Sequence, residues 1–241
     1  MEVNLTDKVA IVTGSGRGIG KEIALLLARE KCKVVLVARN QTQLAQVKEE
    51  ILSSGGVAIA MVLDLSVAGN IDVLVNTVYD RFGRIDILIN NASVLFKTSF
   101  LDVTEEEWDT TMSINAKAVF LLSQRVLRIM IGARAGYIVN VSSTVALGTP
   151  AYHASYGASK HAVVGISQAL YETAKEYGIK VSAIYPGLTD TEMLLEVNPP
   201  VPREYWMQPD DVAGCVLFLL KQSDRVIIRD LVPWAAGHAK V

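Results

Sequence analysis

Two pairs of residues in this chain have the types and spacing to move a proton. In SYGASKHA, residues 155 to 162, Tyr156 and Lys160 stand four apart; in YETAK, residues 171 to 175, Tyr171 and Lys175 repeat the spacing. On a helix that spacing puts both side chains on one face, one turn apart. A phenol beside a carbonyl can give its proton to the oxygen, and an adjacent ammonium favours the phenolate, lowering a pKa that is about 10 in water. A drop of ~2 units corresponds to roughly 2.7 kcal/mol. The chain has eight tyrosines, so such pairs also arise by chance, and spacing alone does not choose between them.

A second stretch has the chemistry of an anion cradle. In TGSGRGIG, residues 13 to 20, Gly14, Gly16, Gly18 and Gly20 alternate with Ser15, Arg17 and Ile19, directly after a strand-like run and at the start of a helical one. Glycines there let the backbone approach a pyrophosphate at a helix N-terminus. An NAD site usually carries Asp or Glu at the end of the second strand, on the ribose hydroxyl. Here that place reads LVARN, with Ala38 and Arg39. Arg39, with Arg17 beside it, offers a guanidinium fork to a 2′-phosphate, so NADP(H) is favoured and NAD(H) is the alternative.

The elements that must position these residues alternate along the chain. The runs KVAIVTG, KVVLVA, VAIAMVLD, IDILINNA, YIVNVSS, KVSAIYPG and RVIIRDLV read as strands. Between them, 18 to 30, 41 to 53, 66 to 82, 104 to 130, 155 to 177 and 209 to 221 read as helices. Apolar strands separated by helices predict an α/β fold: a doubly wound, Rossmann-type parallel sheet flanked by helices, as a single domain over residues 1 to 241. Residues 187 to 207, with NPPVP, read as a long irregular loop at the strand ends, where such folds bind ligands.

Composition narrows the partners. About half of the 241 residues are hydrophobic, and the net charge is −2. No broad positive field is present to hold nucleic acid or an anionic membrane. Cys32 and Cys215 form no metal-ligand motif, so no metal is expected, and they read as two buried thiols of a reducing compartment. The charged start MEVNLTDKVAIVTG does not resemble a signal peptide, and the longest apolar runs fall short of a membrane span. A cytoplasmic protein is expected.

Taken together, these motifs resemble the short-chain dehydrogenase/reductase family, of its compact type, from about Lys8 to Leu220. TGSGRGIG is similar to the family's TGxxxGxG, NNAS at 90 to 93 to its NNAG, and YGASK to its YxxxK. The resemblance implies that Asp64 and Leu65 contact the adenine and that Asn91 and Ala92 lie along the cofactor. It implies the same of Pro186, Gly187, Thr189 and Thr191 in YPGLTDTEM. The family's catalytic serine lies thirteen residues before its tyrosine; Ser143 meets that spacing to Tyr156, whereas Tyr171 has Ala158 there. The resemblance therefore selects Tyr156 as general acid/base and leaves Tyr171 and Lys175 at the surface or an interface. It implies that Ser143 holds the substrate oxygen and that Lys160 acts on the phenol and the nicotinamide ribose. Asn115, in SINA, is implied to kink its helix around a water that links Lys160 to solvent. Ser93, Tyr185 and the ending RDLVPWAAGH depart from the family pattern, and His153 reads as a flanking-loop residue.

The reaction so implied is reversible, NADPH-dependent reduction of a ketone or 3-oxoacyl substrate. Leu188, Met193, Leu194, Leu195, Val197, Trp206 and Met207 in the loop predict an apolar substrate body. Arg203 is its one carboxylate fork, beside Glu192, Glu196 and Glu204. Acyl carrier protein is the alternative partner: Arg134 resembles one of two basic residues expected for it, but Tyr177 holds the second place. A homotetramer or homodimer is expected from small residues on two helices, Ala116, Ala118, Ala162 and Ala169. A hydrolase is disfavoured, since GISQA at 165 to 169 is no GxSxG elbow. A non-catalytic NAD(P)-binding sensor remains the alternative from another class.

Overall fold

Strands that are apolar on both faces must be covered on both sides, and successive residues of the strands here serve opposite cores. The computed structural model describes residues 3–237. Among them, strands β1 (Val9–Thr13), β2 (Lys33–Ala38), β3 (Val57–Val62), β4 (Ile87–Asn90), β5 (Tyr137–Val141), β6 (Lys180–Ile184) and β7 (Asp230–Leu231) form one sheet. Its order is β3-β2-β1-β4-β5-β6-β7, and every pairing is parallel. The helices are α1 (Gly18–Arg29), α2 (Gln41–Ser53), α3 (Ala68–Phe82), α4 (Glu105–Met112), α5 (Ala118–Ala133), α6 (Ala154–Ala174), α7 (Glu192–Val197) and α8 (Pro209–Leu220).

Ala10, Val12, Val34 and Leu36 face α1, α2 and α8 through Ile23, Leu44 and Val216. Val9, Ile11, Val35 and Val37 face α3, α5 and α6 through Leu74, Val126 and Leu170. The strand order reverses between β1 and β4, which opens a crevice at their carboxyl ends.

Four spans differ from the sequence reading. The helix expected over 104 to 130 divides into α4, a π-helical turn at Ser113–Lys117, and α5. The helix expected to reach 177 ends at Ala174, followed by a 3-10 turn over Lys175–Tyr177. The irregular 187 to 207 contains α7, where Thr191 caps the Leu194 N–H, and a 3-10 turn at Arg203–Tyr205. The run RVIIRDLV keeps only Asp230–Leu231 as strand, because its pairing to β6 begins where the Ala183 N–H reaches the Arg229 carbonyl. Of the RDLVPWAAGH ending, His238 lies outside the described residues.

Cys32 is buried, but Cys215 on α8 is only partly so. Ala116 and Ala118, expected at an interface, are buried within the chain. No described helix is long and apolar enough to cross a membrane.

Candidate active site

The turn after β1 folds back on itself so tightly that Gly14 and Gly20 leave no room for a Cβ. Gly14 and Gly18 have φ of +65° and +54°, in the region that favours glycine. A Cβ on Gly14 would lie 2.9 Å from the Ala92 Cα, and one on Gly20 would lie 2.3 Å from the Gly14 oxygen. The Thr13 hydroxyl accepts from the Asn91 and Ala92 N–H groups at 2.9 and 3.0 Å, tying β1 to β4. Asn91 Nδ2 donates to the Thr13 carbonyl at 2.9 Å.

Asn40 and Thr104 cap α2 and α4 with their side chains, whereas the N-cap of α1, Arg17, makes no such bond, and no acid lies in the first turn. The leading N–H groups of α1 thus face the crevice as an anion site. A turn with glycine where a Cβ would clash, an uncapped helix start and the Arg39 charge fit the pyrophosphate and phosphate of a dinucleotide. Arg39 is exposed at the end of β2. The Asp64 carboxylate is held below its usual range by hydrogen bonds from Ser66, and the Arg39 charge adds to this.

The crevice has a volume of about 510 Å³. Gly14, Gly16, Arg17, Gly18, Ile19, Arg39, Asp64, Leu65, Asn91 and Ala92 line one end. Ser143, Tyr156, Lys160, Pro186, Gly187, Thr189 and Thr191 also line it. Three residues expected to act in catalysis or on the cofactor do not. Ser15 is buried towards the sheet, its hydroxyl accepting from the Val37 N–H at 2.9 Å, so it braces the turn. Gly20 gives the space into which Gly14 packs. Asn115 is buried in the π-turn: its Oδ1 accepts from the Val94 N–H, and its Nδ2 donates to the Val94 carbonyl and the Ser159 hydroxyl, at 2.8, 2.8 and 3.0 Å. A π-helical turn stands where the resemblance implies a kink, and its asparagine fixes the segment after β4.

On the inner wall, α6 presents Tyr156 and, one turn on, Lys160, both buried. Lys160 Nζ lies 5.5 Å from the Tyr156 ring centre and donates to the Val141 carbonyl at 2.9 Å. Burial pulls the Lys160 pKa down to about 7. The tyrosine was expected to be acidified; burial instead pushes it up to about 12, against hydroxyls of Ser143 and Ser93 that favour its ionised form. Ser93, noted only as a departure, therefore brings a second hydroxyl to the phenol.

His153, read as a flanking-loop residue, is the N-cap of α6; it is buried, packs edge-on 6.1 Å from the Tyr156 ring, and lines the crevice, with Nδ1 unpartnered. Burial lowers its pKa and so favours the neutral imidazole. Thr13 and Ser93 were legible only as parts of their motifs. Tyr171 does not line the crevice; it is half-buried, with Arg229 stacked 4.5 Å from its ring centre.

Of the apolar residues expected over the pocket, Leu188, Met193 and Leu194 line it. Val197, Trp206 and Met207 are buried in the fold itself, and Leu195 faces outward. Arg203 is no free fork, because its Nε donates to Asp190 at 2.8 Å. Tyr185 donates to Asp230 at 2.6 Å and so pins β7 beside the Pro186–Gly187 turn.

A doubly wound sheet with a glycine cradle at its switch point and a tyrosine, lysine and serine on the facing wall defines a dinucleotide-dependent oxidoreductase. The chain belongs to the short-chain dehydrogenase family, whose family model matches residues 8–201. It is 36% identical over 222 residues, 89% of this chain and 90% of the relative, to a 3-oxoacyl-[acyl-carrier-protein] reductase of Synechocystis sp.. Among solved structures it resembles a metagenomic short-chain oxidoreductase in complex with NADP, with TM-score 0.85, 32% identity, and 96% and 99% of the two chains covered. It also resembles a variant actinorhodin polyketide ketoreductase with NADPH, with TM-score 0.90, 30% identity and full coverage of both chains.

Proposed function

We propose that this enzyme uses NADP(H) to reduce, reversibly, a ketone or 3-oxoacyl compound with an apolar body to the secondary alcohol. One observation carries the reading: Ser143, Tyr156 and Lys160 share one wall of a crevice whose other end is the glycine cradle with Arg39. The NADP and NADPH of the two similar structures support the cofactor.

Gly14, Gly16 and Gly18 with the α1 N-terminus would hold the pyrophosphate, Arg39 the 2′-phosphate, and Asn91, Pro186 and Gly187 the nicotinamide half. When bound, the reduced nicotinamide supplies a hydride to the carbonyl carbon. The Tyr156 phenol, protonated across the neutral range by its burial, gives the proton that the oxygen needs. Ser143 hydrogen-bonds that oxygen and holds it against the phenol. A charged Lys160 lowers the phenol's pKa and so returns the proton more readily in the oxidative direction. Val94, Leu95, Met193 and Leu194 line the crevice and exclude water around an apolar substrate.

The narrower reading is reduction on acyl carrier protein, favoured by the Synechocystis relative. Arg134 is exposed at the α5 terminus, 3.5 Å from the Glu176 carbonyl, but against this reading Tyr177 offers no second cation. Exposed Phe120 on α5 and Phe218 on α8 support assembly as a homodimer or homotetramer. Steady-state rates with NADPH and NADH across 3-oxoacyl thioesters, cyclic and aromatic ketones, small keto acids and sugars test the reading. The highest kcat/KM belongs to an apolar ketone or thioester with NADPH; a maximum among keto acids or sugars contradicts it.

A further inference from the structure

Helix α7 contributes Met193 and Leu194 to the crevice lining and is tied at both ends to other parts of the chain. At its start, the Glu192 carboxylate is ion-paired with the Arg17 guanidinium of the glycine turn, 175 positions away in sequence. Beside this pair, Thr191 rests on the turn: a Cβ on Gly18 would lie 3.2 Å from its Cγ2. At its end, Lys97 Nζ reaches over from the segment after β4 and donates to the Val197 carbonyl at 2.7 Å. Arg17, Gly18 and Thr191 all line the crevice.

We propose that Glu192 moderates cofactor preference and couples it to α7: its carboxylate competes with a 2′-phosphate for Arg17, so it weakens NADP(H) selectively, and capture of Arg17 by the phosphate releases the start of α7. The proposal rests on the NADP(H) reading of the crevice. Arg17 and Glu192 are 46% and 58% exposed, and a pair so exposed shifts an equilibrium by only about two- to fivefold. A phosphate dianion offers the guanidinium two oxygens and more charge, so the exchange favours it. An unphosphorylated ribose makes no such offer, and NAD(H) leaves the Arg17–Glu192 pair intact. The carboxylate of Glu192 then stands at the site as a standing repulsion against the phosphate, which makes its removal a gain for one cofactor only.

Dissociation constants of NADP+ and NAD+ are measured by calorimetry for wild type, Glu192→Gln, Arg17→Gln and the double variant. Proteolysis rates within residues 192 to 205 are followed for wild type with each cofactor. Glu192→Gln is expected to bind NADP+ roughly two- to fivefold tighter with NAD+ unchanged, and Glu192→Lys more so. In the Arg17→Gln background the gain disappears; in wild type, NADP+ but not NAD+ speeds cleavage near the start of α7. An equal change for both cofactors, no gain for NADP+, or the same gain without Arg17 overturns the proposal. A wild type that binds NAD+ more tightly overturns instead the cofactor reading beneath it.

Discussion

Lys160 is tied to the Val141 carbonyl at 2.9 Å while standing 5.5 Å from the Tyr156 ring centre, so the chain spends a buried cation on the end of β5. Burial lowers its pKa from 10.5 to about 7. The unfolded chain therefore binds one proton more between those values, and the folded state is penalised in full below pH 7, with relief as pH rises towards 10.5. Lys160→Met is thus expected to gain stability over wild type most at pH 6 and progressively less up to pH 10. Denaturant midpoints of both proteins across that range check it; a gain that grows with pH contradicts it.

Asn115 holds both backbone groups of Val94. Asn115→Ala leaves buried partners unpaired and is expected to cost about 1–3 kcal/mol, seen as a fall in Tm of roughly 2–4 °C per kcal/mol. Because Val94 lines the crevice, KM for the carbonyl substrate should rise as well. A variant with unchanged Tm refutes the role given to Asn115.

Glycines divide by what surrounds them. Gly14→Ala meets the Ala92 backbone at 2.9 Å with φ at +65°, and should lose both stability and cofactor binding. Gly214→Ala, exposed in α8 with nothing within 4 Å, should gain about 0.5–1 kcal/mol. Thermal melts of the two variants, with cofactor titration of the first, decide.

Arg39→Asp replaces an exposed cation at the end of β2 by a repelling carboxylate, and should move the kcat/KM ratio of NADPH to NADH towards NADH. An unchanged ratio removes Arg39 from the phosphate site.

Much of this was legible in the sequence because periodicity reports burial. The β1 to β6 runs and α2 fall where the pattern puts them, and the parallel pairing follows from alternating strands and helices. The two tyrosines separate by register: Tyr156 opens α6 at the strand ends, while Tyr171 lies four turns on, against Arg229. What periodicity missed depends on tertiary partners. The π-turn at Asn115 is fixed by Val94 and Ser159, and α7 is too short to show a pattern. The loss of most of RVIIRDLV as strand reflects where β6 offers partners. Arg203 and Trp206 looked available for substrate because a sequence does not show that Asp190 and the Val201 carbonyl already hold them. The local pKa values depend on burial in the same way: it raises that of Tyr156 and lowers that of Lys160, and a sequence does not show how deeply either side chain sits.

The most direct test of the account is Tyr156→Phe measured beside Tyr171→Phe, with NADPH affinity followed by fluorescence and reduction of the best panel ketone by absorbance. Loss of the proton donor should lower kcat roughly a hundredfold to ten-thousandfold in Tyr156→Phe, with NADPH affinity nearly unchanged, while Tyr171→Phe stays near wild type. Retention of most activity in Tyr156→Phe, or equal losses in the two variants, would contradict it.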